Sequence, residues 1–204
     1  MVGRKALSKT RFTWKRLAYP LAGLIVVLAL TQVPRLLNFA PQPTPIGGAF
    51  TLTDQAGHPA ADADFRGKLM LVYFGYTYCP DVCPTTLNQM MHAYAHLTPE
   101  QQAAIAPIFV TVDPERDTVS QMNQYVTSFS PALIGLTGTP EQVAAVERGY
   151  HVYARKSGSG EDYTMDHSSI IYLMGKDGRF LRHFNGDAKE QEIADGLLQA
   201  LKGG

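Results

Sequence analysis

The stretch LMLVYF, residues 69–74, is an unbroken apolar run of strand length, and IFVTV at 108–112 is a second one. Continuous apolar runs of this kind are typical of strands that are covered on both faces. Between the two runs, apolar side chains recur at helical spacing, at Leu87, Met90, Tyr94 and Leu97. A strand, a helix and a second strand in this order predict a right-handed parallel crossover.

The segments after this unit extend the same pattern. A second helix is expected to begin near Asp117-Thr118, and a third at Thr139, where TPEQ forms a capping box with proline at the first helical position. SIIYLM (169–174) and RFLRHF (179–184) flank a Lys-Asp-Gly turn and predict a hairpin, and a last helix is expected over about 189–201. The order βαβα…ββα is that of a thioredoxin-like α/β sandwich, with the number of edge strands left open.

The N-terminal segment differs in charge from the rest of the chain. Seven of the 18 basic residues and no acid lie in the first 35 positions, which leaves 11 bases against 18 acids, a net charge of −7, for the remainder. Because phosphate binding needs clustered lysine and arginine, we expect no nucleic-acid partner.

Residues 17–34 are uncharged and would span roughly 27 Å as a helix, close to the thickness of a bilayer's hydrocarbon core. A cleaved signal peptide needs a small-residue site, and the nearest candidate, Asn38-Phe39-Ala40, contains a bulky residue. A buried core helix would not need the basic flank. We therefore predict a basic cytoplasmic tail (1–16) and a single-pass inner-membrane anchor (17–34), with the C-terminal domain in the periplasm. The mitochondrial intermembrane space is topologically equivalent and stays open.

Residues 35–47 are proline-rich and are expected to form an extended tether. The remaining residues, 48–204, are enough for one domain that buries a core without a disulfide framework. The two cysteines of the chain are therefore available for chemistry.

Four candidate functional residues are expected to meet at one edge of the sheet. Cys79 follows the first core strand, Cys83 lies in the first turn of the next helix, Asp113 follows the second core strand, and His167 precedes the strand at 169–174. If that last strand runs antiparallel to the other two, all four lie at the edge where open α/β sheets usually bind ligands. Asp113 could instead bond nearby backbone amides, and His167 could form a surface ion pair with its neighbouring aspartate.

The C-x3-C spacing of Cys79 and Cys83 suits a disulfide or a shared ion, because positions i and i+4 of a helix share a face about 6 Å apart. A disulfide would close a very small loop and add little stability. Iron–sulfur clusters, c-type haem and closed zinc sites need more ligands or other spacings. Two thiolates with an imidazole suit copper.

Three motifs in order along the chain resemble the Sco/SenC family: GYTYCPDVCPTTL (75–87), VTVDPERDT (110–118) and MDHSSIIYLMGKDG (165–178). Members of that family are copper metallochaperones that help to assemble the copper centre of cytochrome c oxidase. The resemblance covers the domain from about residue 48 to 204, together with the single N-terminal anchor.

The resemblance implies a thioredoxin-like fold, a copper ion bound by Cys79, Cys83 and His167, and a role for Asp113 near the site. Family members often have histidine just before the first cysteine, where this chain has Tyr78. That departure leaves the three ligands in place and changes their surroundings.

On this basis we expect a membrane-anchored chaperone that delivers copper to cytochrome c oxidase subunit II, with other periplasmic copper chaperones as further partners. The alternative is a thiol–disulfide oxidoreductase that reduces the oxidase cysteines before metallation, since a thiolate serves as nucleophile and as ligand. A peroxide-reducing enzyme would need an activating arginine beside the attacking thiol, and the sequence assigns none. The glycine- and charge-rich segment 156–166 is expected to be mobile without metal.

Two neighbouring pairs have simpler expected roles. His92 and His96 have an i, i+4 spacing that metals use, but they lie off the apolar stripe and are expected to form a solvated face. Arg116 and Asp117 are expected to pair locally and start the second helix.

Overall fold

The computed structural model describes residue 27 and residues 45–160 and 162–203. The predicted tail and anchor, and the tether up to residue 44, therefore lie outside the described residues, apart from residue 27. Within the described ranges, no helix has both the length and the apolar character needed to cross a bilayer.

The described part of the chain combines strands and helices, with one short 3-10 helix at Asp62–Phe65. The strands are β1 Thr51–Asp54, β2 Pro59–Ala61, β3 Leu69–Gly75, β4 Ile105–Thr111, β5 Ile134–Thr137, β6 Ala154–Ser157, β7 Thr164–His167, β8 Ile170–Met174 and β9 Phe180–Asn185. The helices are α1 Val82–Ala95, α2 Pro99–Ala103, α3 Val119–Phe129, α4 Pro140–Tyr150 and α5 Glu190–Gly203.

Seven strands form a mixed sheet in the order β2-β1-β5-β4-β3-β8-β9. The predicted parallel pairing is confirmed, since β3 and β4 pair from Leu69 with Ile105 to Gly75 with Thr111. The predicted hairpin is β8 and β9, and β8 runs antiparallel to β3. The direction of β8 brings its first residues to the edge where β3 and β4 end.

The two apolar runs at the centre of the sheet are buried along their whole length, as their composition predicts. Helix α1 covers them with Leu87 and Met90, both fully buried. At about 25 cal/mol per Å² of apolar surface, burying a leucine or methionine side chain stabilises the fold by roughly 1.5–3 kcal/mol. This packing holds the first turn of α1 at the end of β3.

The helix starts follow the capping signals in the sequence. Thr139 and Gln142 form the predicted capping box: the Thr139 Oγ1 accepts from the Gln142 backbone at 3.3 Å, and the Gln142 Oε1 accepts from the Thr139 backbone at 2.8 Å. Thr118 caps α3 with a single hydrogen bond, its Oγ1 accepting from the Gln121 backbone at 3.3 Å. The last helix begins at Glu190, one residue after the expected start.

The segment expected to be mobile contains most of a two-stranded hairpin, β6 with β7, in which Ala154 pairs with His167 and Ser157 with Thr164. Alternate side chains, Tyr163, Met165 and His167, are the less exposed ones. That period of two is typical of a half-buried strand. In the sequence, the glycines and charged residues of the same segment obscure it. His167 is therefore held at the end of a strand.

Candidate metal centre

The structure brings three of the four predicted site residues together at the edge of the sheet. Cys79 lies in the loop after β3, Cys83 is the second residue of α1, and His167 is the last residue of β7. One ligand atom from each lies within 4.8 Å of the other two. The Cys83 Sγ is 3.4 Å from the His167 Nε2, and both cysteines are free thiols. This spacing allows all three to reach one ion.

The three side chains differ in exposure. Cys83 is fully buried, whereas Cys79 and His167 are half-buried. An open groove of about 430 Å³, lined in part by Cys79, His167, Tyr76 and Met165, leads to them. A metal ion here would be enclosed on the Cys83 side and open to a partner protein on the other.

Gly75, the last residue of β3, leaves room for the buried sulfur. A Cβ at this position would lie 2.7 Å from the Cys83 Sγ and 2.9 Å from the Phe109 ring. Both distances are shorter than side chains tolerate. Sequence analysis missed Gly75, because nothing local distinguishes it from an ordinary end of a strand.

The hydrogen bond between the two cysteines shifts their pKa values in opposite directions. A hydrogen bond from Cys83 lowers the pKa of Cys79 far below its ordinary value of 9.0. The same bond to Cys79, together with burial, raises the pKa of Cys83. The Cys83 backbone N–H also donates to the Cys79 Sγ at 3.4 Å. Cys79 is therefore the thiolate, the form that binds metals and attacks disulfides.

The neighbours of His167 determine which ring nitrogen faces the sulfurs. Its Nδ1 lies 3.1 Å from the Ser168 carbonyl oxygen, which can only accept, so the proton is on Nδ1. The Nε2 lone pair then points toward Cys83, as a metal ligand requires. Rings of Tyr73 and Tyr76 stand edge-on to the imidazole, with centroids 6.4 and 5.9 Å away.

Asp113 is buried, and its carboxylate bonds two other side chains. Its carboxylate accepts from the Arg116 Nε at 2.5 Å and from the Tyr163 hydroxyl at 2.7 Å. Arg116 in turn donates to the Tyr163 carbonyl at 3.0 Å. The alternative expected from the sequence was that this carboxylate bonds backbone amides. Through Arg116 and Tyr163 it instead connects the loop after β4 to the hairpin that carries His167.

The expected pairing of Arg116 with Asp117 is wrong: Arg116 pairs with Asp113, and Thr118 caps the helix. The Arg116 guanidinium lies 3.6 Å from the Tyr163 ring centroid and 4.7 Å from that of Tyr78. Tyr78, the residue before Cys79, thus stacks on the Arg116 guanidinium. Asp117 is buried and accepts from the hydroxyls of Thr77 and Thr111, each at 2.6 Å, and burial raises its pKa.

His92 and His96 are exposed, as predicted, and lie beside the carboxylate of Glu190. Sequence analysis did not anticipate that acidic neighbour, because it comes from the other end of the domain sequence.

Comparison with known proteins places this chain in a family. The SCO1/SenC family model matches residues 39–202, and the chain belongs to that family. It is 43% identical over 160 residues to the mitochondrial SCO1 homolog of Mus musculus, an alignment that covers 77% of this chain and 56% of the mouse protein. The chain thus matches little more than half the length of that relative.

Two solved structures show the fold. Arabidopsis thaliana ScoI with copper bound has a TM-score of 0.73 and 38% identity, covering 78% of this chain and 99% of that one. Bradyrhizobium japonicum ScoI with copper bound has a TM-score of 0.70 and 45% identity, covering 76% and 99%. The predicted thioredoxin-like α/β fold is thereby confirmed.

Proposed function

We propose that this chain binds one copper ion through Cys79, Cys83 and His167 and delivers it during assembly of the copper centre of cytochrome c oxidase. The observation that carries the proposal is the convergence of two sulfurs and an imidazole nitrogen within 4.8 Å at an open edge of the sheet. Soft thiolates with one imidazole are a donor set that copper prefers. The copper-bound ScoI structures that share this fold support the choice of metal.

The unequal burial of the ligands suits delivery as well as binding. Cys83 holds copper from the enclosed side, while Cys79 and His167 face the groove. A thiolate of the receiving protein would add to copper from the groove, and further ligands of that protein would replace Cys79, His167 and Cys83 as their bonds to copper break. Cys83 would then take up a proton from solvent while Cys79 stays a thiolate, and the ion would leave with the partner without any change in its charge.

Asp113 acts in this proposal by holding the β6–β7 hairpin, through Tyr163, in the position that presents His167. It supports the histidine and does not bind the metal. Ligands whose supporting groups are lost typically bind metal 10–100-fold more weakly, which gives the expected size of its contribution.

Copper titration of the full chain in its two redox states tests the ligand assignment. The reduced chain should bind one copper per chain, and the disulfide form should bind far more weakly, because a bonded sulfur pair supplies no thiolate. His167→Ala should weaken binding to the reduced chain. Equal affinities of the reduced and oxidised chains would rule out the cysteines as ligands.

A thiol–disulfide reductase is the second candidate, favoured by a half-buried Cys79 thiolate beside a buried Cys83 thiol. The Cys79 sulfur would attack a disulfide of the oxidase, forming a mixed disulfide and releasing one partner thiolate. Cys83 would lose its proton and attack Cys79, releasing the second partner thiolate. The partner gains two electrons, and this chain ends as a disulfide.

His167→Ala separates the two functions, since thiol exchange needs the sulfurs and copper binding also needs the imidazole. In cells that lack this protein, the variant should fail to restore oxidase activity when copper is limiting, although its thiols still cycle. Added copper should rescue it in part, and Cys83→Ser should be at least as impaired. Full oxidase assembly by His167→Ala at low copper would favour the reductase.

We further propose that subunit II of the oxidase receives the copper, that other periplasmic chaperones supply it, and that residues 17–34 anchor the chain in the inner membrane with the domain in the periplasm. The uncharged stretch and its basic flank support the anchor. Protease added to spheroplasts should then remove the domain. Protection that lasts until the membrane is dissolved would contradict this topology.

A further inference from the structure

A second group of metal-binding side chains lies on the face shared by α1 and α5. Gln89 and His92 lie in α1 and His96 caps its C-terminal end, at i, i+3 and i+7, so the three share one side of the helix. His92 lies nine residues after Cys83, roughly 14 Å along the helix axis. The group is therefore separate from the site at the start of α1.

Helix α5 brings a carboxylate to this face. The backbone N–H of Glu190, at the first turn of α5, donates to the Gln89 Oε1 at 3.1 Å, which fixes the start of that helix against α1. The Glu190 carboxylate then lies between the two imidazoles, with its Oε2 3.4 Å from the His92 Nδ1 and its Oε1 3.7 Å from the His96 Nε2. Two imidazoles and a carboxylate thus meet on one patch of surface.

We propose that His92, His96 and Glu190 form a second metal site, for a divalent cation of the class that imidazole binds, such as Zn²⁺ or Cu²⁺. An i, i+4 histidine pair with a carboxylate from a second helix is a nitrogen and oxygen donor set for these ions. It contains no sulfur, so it differs in preference from the Cys79, Cys83 and His167 site.

Exposure of these side chains makes the geometry reachable. The His92 and His96 side chains are 67% and 65% exposed, and each now approaches a different carboxylate oxygen. Binding one ion requires rotation about their side-chain bonds to bring both nitrogens together. Exposed ion pairs contribute little stability, so stability alone does not account for two histidines placed around one carboxylate.

Zinc titration by calorimetry tests the proposal in the full chain with Cys79→Ser and Cys83→Ser, which silence the first site. We expect one zinc ion to bind at this face. His92→Ala, His96→Ala and Glu190→Gln should each weaken that binding by at least roughly tenfold, because loss of a group that only supports a metal ligand already costs about that much affinity. Zinc should also raise the unfolding temperature, because it joins two helices only in the folded chain. Each of the three substitutions should reduce that rise.

Two matched variants serve as controls. His58→Ala removes a lone imidazole that lies 3.6 Å from the Asp54 carboxylate and is 76% exposed. Glu192→Gln removes the other acid in the first turn of α5. Neither should change zinc binding. Absence of zinc binding at this face, or equal losses in the control variants, would overturn the site and leave only surface ion pairs.

Discussion

The hydrogen bond from the Tyr163 hydroxyl to Asp113 joins the β6–β7 hairpin, which carries His167, to the loop after β4. It is 2.7 Å long, and its two residues are 6% and 3% exposed. Burial, with the negative charge of Asp113, raises the pKa of Tyr163 to about 12, so the hydroxyl remains a donor at neutral pH. Tyr163→Phe removes this one oxygen and keeps the ring.

The structure limits how much this change should cost. Hydrogen bonds to charged groups contribute about 1.5–3 kcal/mol, and we take about 2 kcal/mol because Asp113 keeps its ion pair with Arg116. The contacts of Arg116 and Lys156 with the ring, both at 3.6 Å, are retained. A loss of 2 kcal/mol corresponds to roughly a 30-fold change in an equilibrium constant.

Amide hydrogen exchange measures this loss where it occurs. Exchange in β6 and β7 should accelerate by up to roughly 30-fold in Tyr163→Phe, because local opening becomes that much easier. Exchange in β3 should stay unchanged, and copper affinity should fall by no more than the same factor. Tyr153→Phe, an exposed tyrosine beside the same hairpin, is the control and should leave exchange unaltered.

Unchanged exchange in the hairpin would show that Tyr163 does not hold it. An equal acceleration in β3 would show that the bond supports the whole domain rather than the hairpin. Asp113→Asn should have a larger effect than Tyr163→Phe, because breaking a buried ion pair costs about 3–5 kcal/mol.

Two further substitutions test the packing and the charge of the domain. Gly75→Ala should lower the free energy of unfolding in urea by about 1–3 kcal/mol and weaken copper binding, because its Cβ would displace the Cys83 sulfur; unchanged copper affinity would show that the sulfur can move. Burial raises the pKa of Glu147 from 4.5 to about 7, so the folded chain holds this proton more tightly than the unfolded chain, and stability falls as the pH rises between these values. Glu147→Gln should therefore be more stable than the wild type by about 1 kcal/mol at pH 8, after allowance for the partial exposure of this side chain, and equally stable near pH 4. Urea denaturation of both chains across this pH range measures the difference, and parallel pH profiles would contradict the prediction.

Elements whose signals are local could be predicted from the sequence. The strands β3 and β4 follow from continuous apolar runs, α1 from apolar spacing, and α4 from the Thr139 capping box. Each of these signals depends on backbone hydrogen bonds and side-chain contacts within a few residues, so a short window of sequence contains it. The short strands β1, β2 and β5 carry no such signal, because their pairing is decided by the rest of the sheet.

The same distinction between local signals and long-range contacts applies to the candidate site. Local patterns in the sequence predict that two thiols lie one helical turn apart at the end of a buried strand, and that a histidine precedes another strand. Packing of the folded chain sets the antiparallel direction of β8 against β3, which brings His167 to the Cys83 sulfur, and it brings Tyr163 to Asp113, 50 residues away. These contacts join segments that are distant in the chain, and their free energy depends on how the whole core packs, which no local pattern of residues records.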